Sequence, residues 1–295
     1  MITLPKDWKI YSNSIRDRCR DLIEHKIWSG IDKNQFEKWR CNFKTDHEKY
    51  FAACILDSLI YRSNQQTYSL INQLIYRNIN NLFRQLGRPD LEKFPRCLIS
   101  NTADPLIRLV PAIKSDSPVT KSSNEILRFM KRHFLINEDW ITNPWKIKDE
   151  ISKGVSVFIF IDDFLGTGHQ FQEVIDDSDL SGLFKSNIIL YAPLVAHTEG
   201  IIFLKKLYQD LQLVYSEKLD RKCHSFFSNY FSEEQKEAKV FYIEMLEERG
   251  IVLRPGNQFG YGDLELTFAF EHAAPDNSLQ VLHRRNDNWS PLFNR

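Results

Sequence analysis

Apolar positions follow two different rhythms along the chain. Up to about residue 90 they recur at helical spacing, and after Pro5 this stretch holds almost no Gly or Pro until Gly87. Residues 50–60 (YFAACILDSLI) are nearly all apolar, which predicts a helix buried on most sides. Between 69 and 86, Leu70, Leu74, Ile75, Ile79, Leu82, Phe83 and Leu86 mark one face of a second helix, stopped by Gly87-Arg88-Pro89. The rhythm changes at Pro95. Residues 96–100 and 106–113 are apolar runs of strand length, and the polar 114–123 segment is a loop. Ser122 with Glu125 three residues later is a helix-start signature, so a helix is expected over 123–135. Residues 155–161 (VSVFIFI) are apolar on both faces, as in a central parallel strand covered by helices. A helix at 169–175, a strand at 187–195, a helix at 200–208 and a short strand at 211–215 follow. A helix at 233–249 ends at Gly250. Two last strands, 264–271 and 279–283, flank a turn at Pro275-Asp276-Asn277. This alternation predicts an α/β fold with a doubly wound, mainly parallel sheet. The expected organisation is a helical region over 1–90, docked as a layer, and an α/β domain over 91–295 with a C-terminal strand pair. The 139–153 stretch, polar with two Trp, yields no assignment.

Chemistry concentrates where the strongest strand ends. Asp162 and Asp163 close that strand, and Phe164-Leu165-Gly166-Thr167-Gly168 leads into the helix beginning near His169. Ligands of open α/β sheets bind beyond the carboxyl ends of the strands. A loop entering a helix presents unpaired backbone N–H groups suited to phosphate. Gly166 and Gly168 permit close approach and positive φ. The Thr167 hydroxyl is a donor to a phosphate oxygen, and paired carboxylates accept hydrogen bonds from vicinal ribose hydroxyls. One site thus holds both ends of a ribose-5-phosphate. The bland reading of the same residues is a strand end followed by a helix cap.

The run FIFIDDFLGTGHQ resembles the sugar-phosphate signature of type I phosphoribosyltransferases. The stretches FGYGD (259–263), FEH (270–272), PDN (275–277) and WSPLF (289–293), with the helical segment 39–61, resemble the PRTase-CE family of bacterial conflict-system proteins. The resemblance implies a phosphoribosyltransferase-like fold. It implies that Asp162 and Asp163 contact ribose, and that Leu165, Gly166, Thr167, Gly168, His169 and Gln170 cradle the 5-phosphate. It also implies Mg2+ held through the substrate, with no dedicated protein metal site. Lys121, Ser122 and Ser123, on the loop after the 106–113 strand, are the candidates for a diphosphate, with a plain surface loop as the alternative. Two functions stay open. One is a phosphoribosyltransferase-type glycosyltransferase acting as an effector in an antiviral defence system. The other is a sensor of a nucleotide or ribose phosphate that controls a partner protein without chemistry. Gln170, where common type I enzymes place a small hydroxyl residue, and the short space for a catalytic lid before residue 155 favour the second.

Composition narrows the field further. Lys plus Arg and Asp plus Glu number 39 each, so no bulk field steers the protein to nucleic acid. Five scattered cysteines without C-x-x-C spacing argue against a disulfide framework or a zinc site and suit a reducing cytoplasm. No run approaches the roughly 18 apolar residues of a membrane span. His169 is a candidate anion contact, and His197, after the 187–195 strand, is a candidate neighbour of Asp162. Cys223-His224 and Glu271-His272 read as structural, and Trp289, Pro291 and Phe293 as a C-terminal anchor.

Overall fold

A computed structural model describes residues 2–99, 104–118 and 122–293. The chain forms two compact units, one of residues 2–66 with 220–293 and one of residues 67–219. The first begins with α1 (Trp8–Glu24), α2 (Lys33–Arg40) and α3 (Asp46–Ser58). α3 contains the apolar run expected to be buried, and Phe51 to Leu56 are all core residues. A capping box fixes its start: the Thr45 hydroxyl accepts from the Glu48 N–H, and the Glu48 carboxylate accepts from the Thr45 N–H. A short strand, β1 (Ile60–Arg62), follows where only helix was expected.

The second unit starts in the first turns of α4 (Asn64–Asn72). That helix continues through a π-helical stretch, Gln73–Ile79, into α5 (Asn80–Gln85), as the apolar spacing predicted, and Leu74, Ile75, Ile79, Leu82 and Phe83 are buried. Then come α6 (Phe94–Ile99), β2 (Ile107–Pro111), α7 (Ser122–Phe134), α8 (Ile147–Ser152), β3 (Val157–Leu165), α9 (His169–Asp177), β4 (Ile188–His197), α10 (Thr198–Leu207), β5 (Gln212–Leu213) and β6 (Glu217–Leu219). Of the strand expected at 96–100, residue 100 lies outside the described residues, and residues 96–99 fall in α6 instead. Its Phe94 packs edge-on against Phe83 and Trp140, so a helical face serves that contact.

The sheet is parallel, in order β2-β3-β4-β5, with β6 beside the C-terminal half of β4. After β2 the chain runs through α7 to Ile141, which bridges Leu109 on the far edge of β2. It returns through α8 to β3, then moves the other way through α9 and α10. Right-handed crossovers therefore place α7 on one face and α8, α9 and α10 on the other. Phe158 and Phe160 of β3 pack with Ile147, Phe171, Val174 and Leu204 of that second layer. Tyr68 and Tyr76, in the helical run before β2, pack against Phe129 and Phe134 of α7. Both faces are covered, which explains why β3 is buried along its whole length. The direction of travel reverses between β2 and β3, and such a switch point opens a crevice at the carboxyl ends of the two strands.

The first unit is completed by α11 (Arg221–His224), α12 (Phe226–Tyr230), α13 (Gln235–Glu247) and β7 (Phe268–Phe270). β7 pairs in parallel with β1, not with a neighbouring C-terminal strand. Residues 280–282, expected as a strand, form a single 3-10 turn. Phe51 sits among Phe226, Phe227, Phe231, Phe241 and Tyr242, with ring centroids 5.3–6.2 Å away. Trp289 is buried, and its indole N–H donates to the Val281 carbonyl at 3.3 Å. The grouping of 2–66 with 220–293 cuts the chain along different lines from a division at residue 90, because β1 and α3 find their partners beyond residue 220. Among the described residues no helix is long and apolar enough to cross a membrane.

Candidate functional site

The acid pair lies inside β3, not beyond its end. The strand runs on to Leu165 because Phe164 and Leu165 remain in register with Val195 and Ala196 of β4. Asp162 and Asp163 consequently point to opposite sides, and each meets a hydroxyl from the start of α7. The Ser123 hydroxyl donates to Asp162 Oδ1 at 2.7 Å, and the Ser122 hydroxyl donates to Asp163 Oδ1 at 2.8 Å. Asp162 Oδ1 also accepts from the Asp163 backbone N–H at 3.0 Å, and Oδ2 accepts from the Tyr191 hydroxyl at 2.8 Å. Both oxygens of Asp162 are thus engaged, and the residue is 1% exposed. Burial, then the neighbouring Asp163 carboxylate, push its acid dissociation well above the usual carboxylate range, against the opposite pull of the Ser123 and Tyr191 donors. The Tyr191 phenol is raised as well, by burial and then by Asp162. The Tyr191 ring stacks on Phe171 of α9 at 3.9 Å, so its hydroxyl is fixed by packing.

Of the two loop glycines expected to allow positive φ, Gly168 adopts it and Gly166 does not. Gly168 stands at φ +91°, ψ −11°, and caps α9. The first N–H groups of α9 have no partner within the helix, so they face the loop end. Thr167 is half-buried, His169 and Gln170 are exposed, and Leu165 is buried. Thr167 Oγ1 lies 3.1 Å from His169 Nδ1, and the His169 ring meets Phe203 edge-on at 4.8 Å.

A residue that the sequence reading passed over sets this loop in place. Gly200, in the first turn of α10, lies against it. A Cβ there would come within 2.4 Å of the Gly166 carbonyl oxygen and 2.7 Å of Leu165 Cδ1. A Cβ on Gly168 would in turn meet Phe203 at 2.8 Å and Leu204 at 3.1 Å. Loop and helix touch backbone to backbone, which only glycine at 200 allows. The signal was an isolated Gly in an apolar helix, the kind of position that marks close approach. Tyr191 was the other omission. A lone phenol in an otherwise aliphatic strand requires a partner when buried, and Asp162 is that partner.

The remaining expected residues divide. Ser122 and Ser123 are brought to the acid pair, as donors to its carboxylates. Lys121 lies outside the described residues. Lys114, nearby in the same loop, ion-pairs with Glu173 at 3.2 Å, and Ser115 donates to Asp177, so that loop is tied to α9. His197 is buried at the end of β4, and its Nδ1 accepts from the Glu199 N–H at 3.3 Å, a helix-capping contact. His224 Nδ1 accepts from the Asp220 N–H, and His272 stacks on Phe270. Among the described residues no three His, Cys, Asp or Glu side chains are grouped to hold a metal ion.

Comparison with known proteins gives one result. Neither curated proteins nor solved structures yielded a match. The PRTase-CE family model covers residues 36–295, a span containing the whole parallel sheet, the acid pair and the glycine loop. The chain belongs to the PRTase-CE family.

Proposed function

We propose that the protein binds a phosphoribosyl ligand at the switch point between β2 and β3. Residues 165–170 hold its 5-phosphate through backbone N–H groups and the Thr167 hydroxyl. Asp163 receives the ribose hydroxyls. Asp162, with both oxygens engaged, acts by holding Ser123 and the Asp163 backbone in place. The observation that carries this reading is the left-handed Gly168 closing a loop that opens directly onto the N-terminus of α9. A magnesium ion would be held here mainly through the ligand, with Asp163 as the nearby protein carboxylate. Bound in that way it would neutralise charge on a diphosphate.

Within the transferase form of this reading, the bond from ribose C1 to the diphosphate oxygen breaks, and the diphosphate leaves with the electron pair. A nucleophile then bonds to C1. The chain's own part is to fix the ribose at both ends and so place the two groups on opposite faces. Family membership supports extending the proposal to an effector role in a bacterial defence system, in the cytoplasm. A second reading, a sensor that holds a nucleotide or ribose phosphate and controls a partner protein, is favoured by one observation. Asp162 is closed off by Ser123, Tyr191 and the Asp163 N–H, which leaves one carboxylate for the sugar.

Calorimetric titration of the full chain with phosphoribosyl diphosphate and with ribose-5-phosphate, each with and without Mg2+, tests the proposal. Binding of both, stronger for the diphosphate with Mg2+, is expected. Absence of binding by either would refute the site. Release of free diphosphate on adding cell extract as a source of nucleophile selects the transferase form, and tight binding without release selects the sensor.

A further inference from the structure

The first unit carries a cleft of its own that the phosphoribosyl site does not use. A cavity of about 550 Å³ opens between the turn after α13 and the segment following the 3-10 turn Gln280–Leu282. That volume lies within the roughly 300–1,000 Å³ range of small-molecule sites. Its charged lining is one-sided: Arg254, Arg284 and Arg285 against Asp276, with His283 beside them. Among the described residues neither Arg254 nor Arg284 has a carboxylate partner, although most other arginines of this unit do.

Hydrogen bonds along its walls hold the cleft in shape. Arg254 begins a Pro255-Gly256 turn, closed by the Asn257 N–H donating to the Arg254 carbonyl, with Gly256 at φ +79°. The buried Gln280 ties the two walls together. Its Nε2 donates to the Asn257 carbonyl at 2.8 Å, and its Oε1 accepts from Arg284 Nε at 2.8 Å. Arg284, which lines the cleft, is thereby held through its Nε. Asn286 Nδ2 donates to the Arg249 carbonyl and fixes the second wall to the end of α13. At the rim stands Tyr261, with 41% of its surface exposed. Its backbone is anchored by an N–H donated to Asp276 and a carbonyl accepting from Asn277.

Planar guanidiniums suit phosphate oxygens, and an anchored, exposed phenol ring suits a nucleobase face. We infer that this cleft binds a nucleoside polyphosphate, its phosphates on Arg254, Arg284 and Arg285 and its base on Tyr261. The site is independent of the 165–170 loop.

The test is calorimetry of the full chain with ATP and GTP, with inorganic diphosphate and adenosine as part-ligands. Wild type binds a nucleoside triphosphate. Arg254→Ala with Arg284→Ala weakens it by about tenfold or more, as expected for lost charge-assisted contacts. Arg254→Ala alone, on an exposed turn, gives the same direction if the double variant does not fold. Tyr261→Ala weakens the triphosphate by roughly fivefold, the scale of one base stack, and leaves inorganic diphosphate nearly unchanged. Thr167→Glu, which sets a carboxylate in the phosphate loop of the second unit, leaves triphosphate binding intact. No binding of either triphosphate at millimolar concentration would overturn the inference, as would unchanged affinity in the arginine variants or loss of binding in Thr167→Glu. A 5′-phosphorylated single-stranded oligonucleotide that binds more tightly than ATP by over about tenfold would reassign the cleft to nucleic acid.

Discussion

The two units reach order by opposite routes. In the unit of residues 2–66 and 220–293, order comes from aromatic packing between segments far apart in the chain: Phe51 of α3 meets Phe226 and Tyr242 nearly two hundred residues later. Its strand pair β1 with β7 is equally non-local. The unit of residues 67–219 orders itself through neighbours: β2, α7, α8, β3, α9, β4 and α10 follow one another in space nearly as in sequence. Its polar centre is local too, a pair of serines opening α7 set against a pair of aspartates in β3. The comparison teaches that a long-range aromatic core specifies a shape, whereas a short-range strand-loop-helix unit specifies a site.

Substitutions should separate these two kinds of order. The largest effect is expected from Phe51→Ala, which empties the middle of the aromatic cluster and costs about 3–5 kcal/mol, as for other buried Phe truncations. Urea unfolding measures it, and the affinity of the folded fraction for ribose-5-phosphate should not change. A loss under about 1 kcal/mol would mean the cluster is not the organising core. Asp163→Asn should act the other way round. It removes a charge-assisted acceptor and weakens ribose-5-phosphate binding by about 1.5–3 kcal/mol, with little change in melting temperature. Equal affinity in a folded Asp163→Asn protein would remove the carboxylate from the site.

Gly200→Ala probes the seam between loop and helix. Its methyl group collides with the Gly166 carbonyl oxygen, so overpacking should cost about 1–3 kcal/mol, together with a marked loss of phosphate affinity. Stability lost without affinity would show that the loop geometry does not matter to binding. Gly168→Val combines both penalties, since φ is +91° and Phe203 stands 2.8 Å from the Cβ position. The smallest effect concerns pH. Asp162 has its acid dissociation raised on folding, so the folded protein holds a proton that the unfolded chain releases. That contribution is fully present below the ordinary carboxylate value of about 4 and is lost as pH rises toward the folded value. Asp162→Asn mimics the protonated form. Its stability relative to wild type should therefore improve as pH is raised from about 4 to 8. A constant difference across that range would mean Asp162 is ionised in the folded state throughout.

Much of the second unit was legible because its signals are local. The apolar run at 155–161, the Ser122/Glu125 helix start and the glycines at 166 and 168 each sit within a few residues of the structure they produce. The end of β3 was misplaced because acidic residues read as a strand terminus. Here Ser122, Ser123 and Tyr191 supply the hydroxyls that let the strand continue through both carboxylates. The first unit was less legible. Nothing near residues 264–283 says that 268–270 pairs with 60–62 instead of a close neighbour, and nothing near 96–100 says that Phe83 and Trp140 will draw Phe94 into a helix.

The central claim is that residues 165–170 hold a 5-phosphate while Asp163 holds the ribose. A crystal structure of the protein with phosphoribosyl diphosphate and magnesium tests it most directly. The account predicts the 5-phosphate within hydrogen-bonding distance of the backbone N–H groups of Gly168, His169 and Gln170 and of the Thr167 hydroxyl, with ribose oxygens on Asp163. Density for the ligand only in the Arg254–Arg284 cleft, with the glycine loop empty, would contradict it.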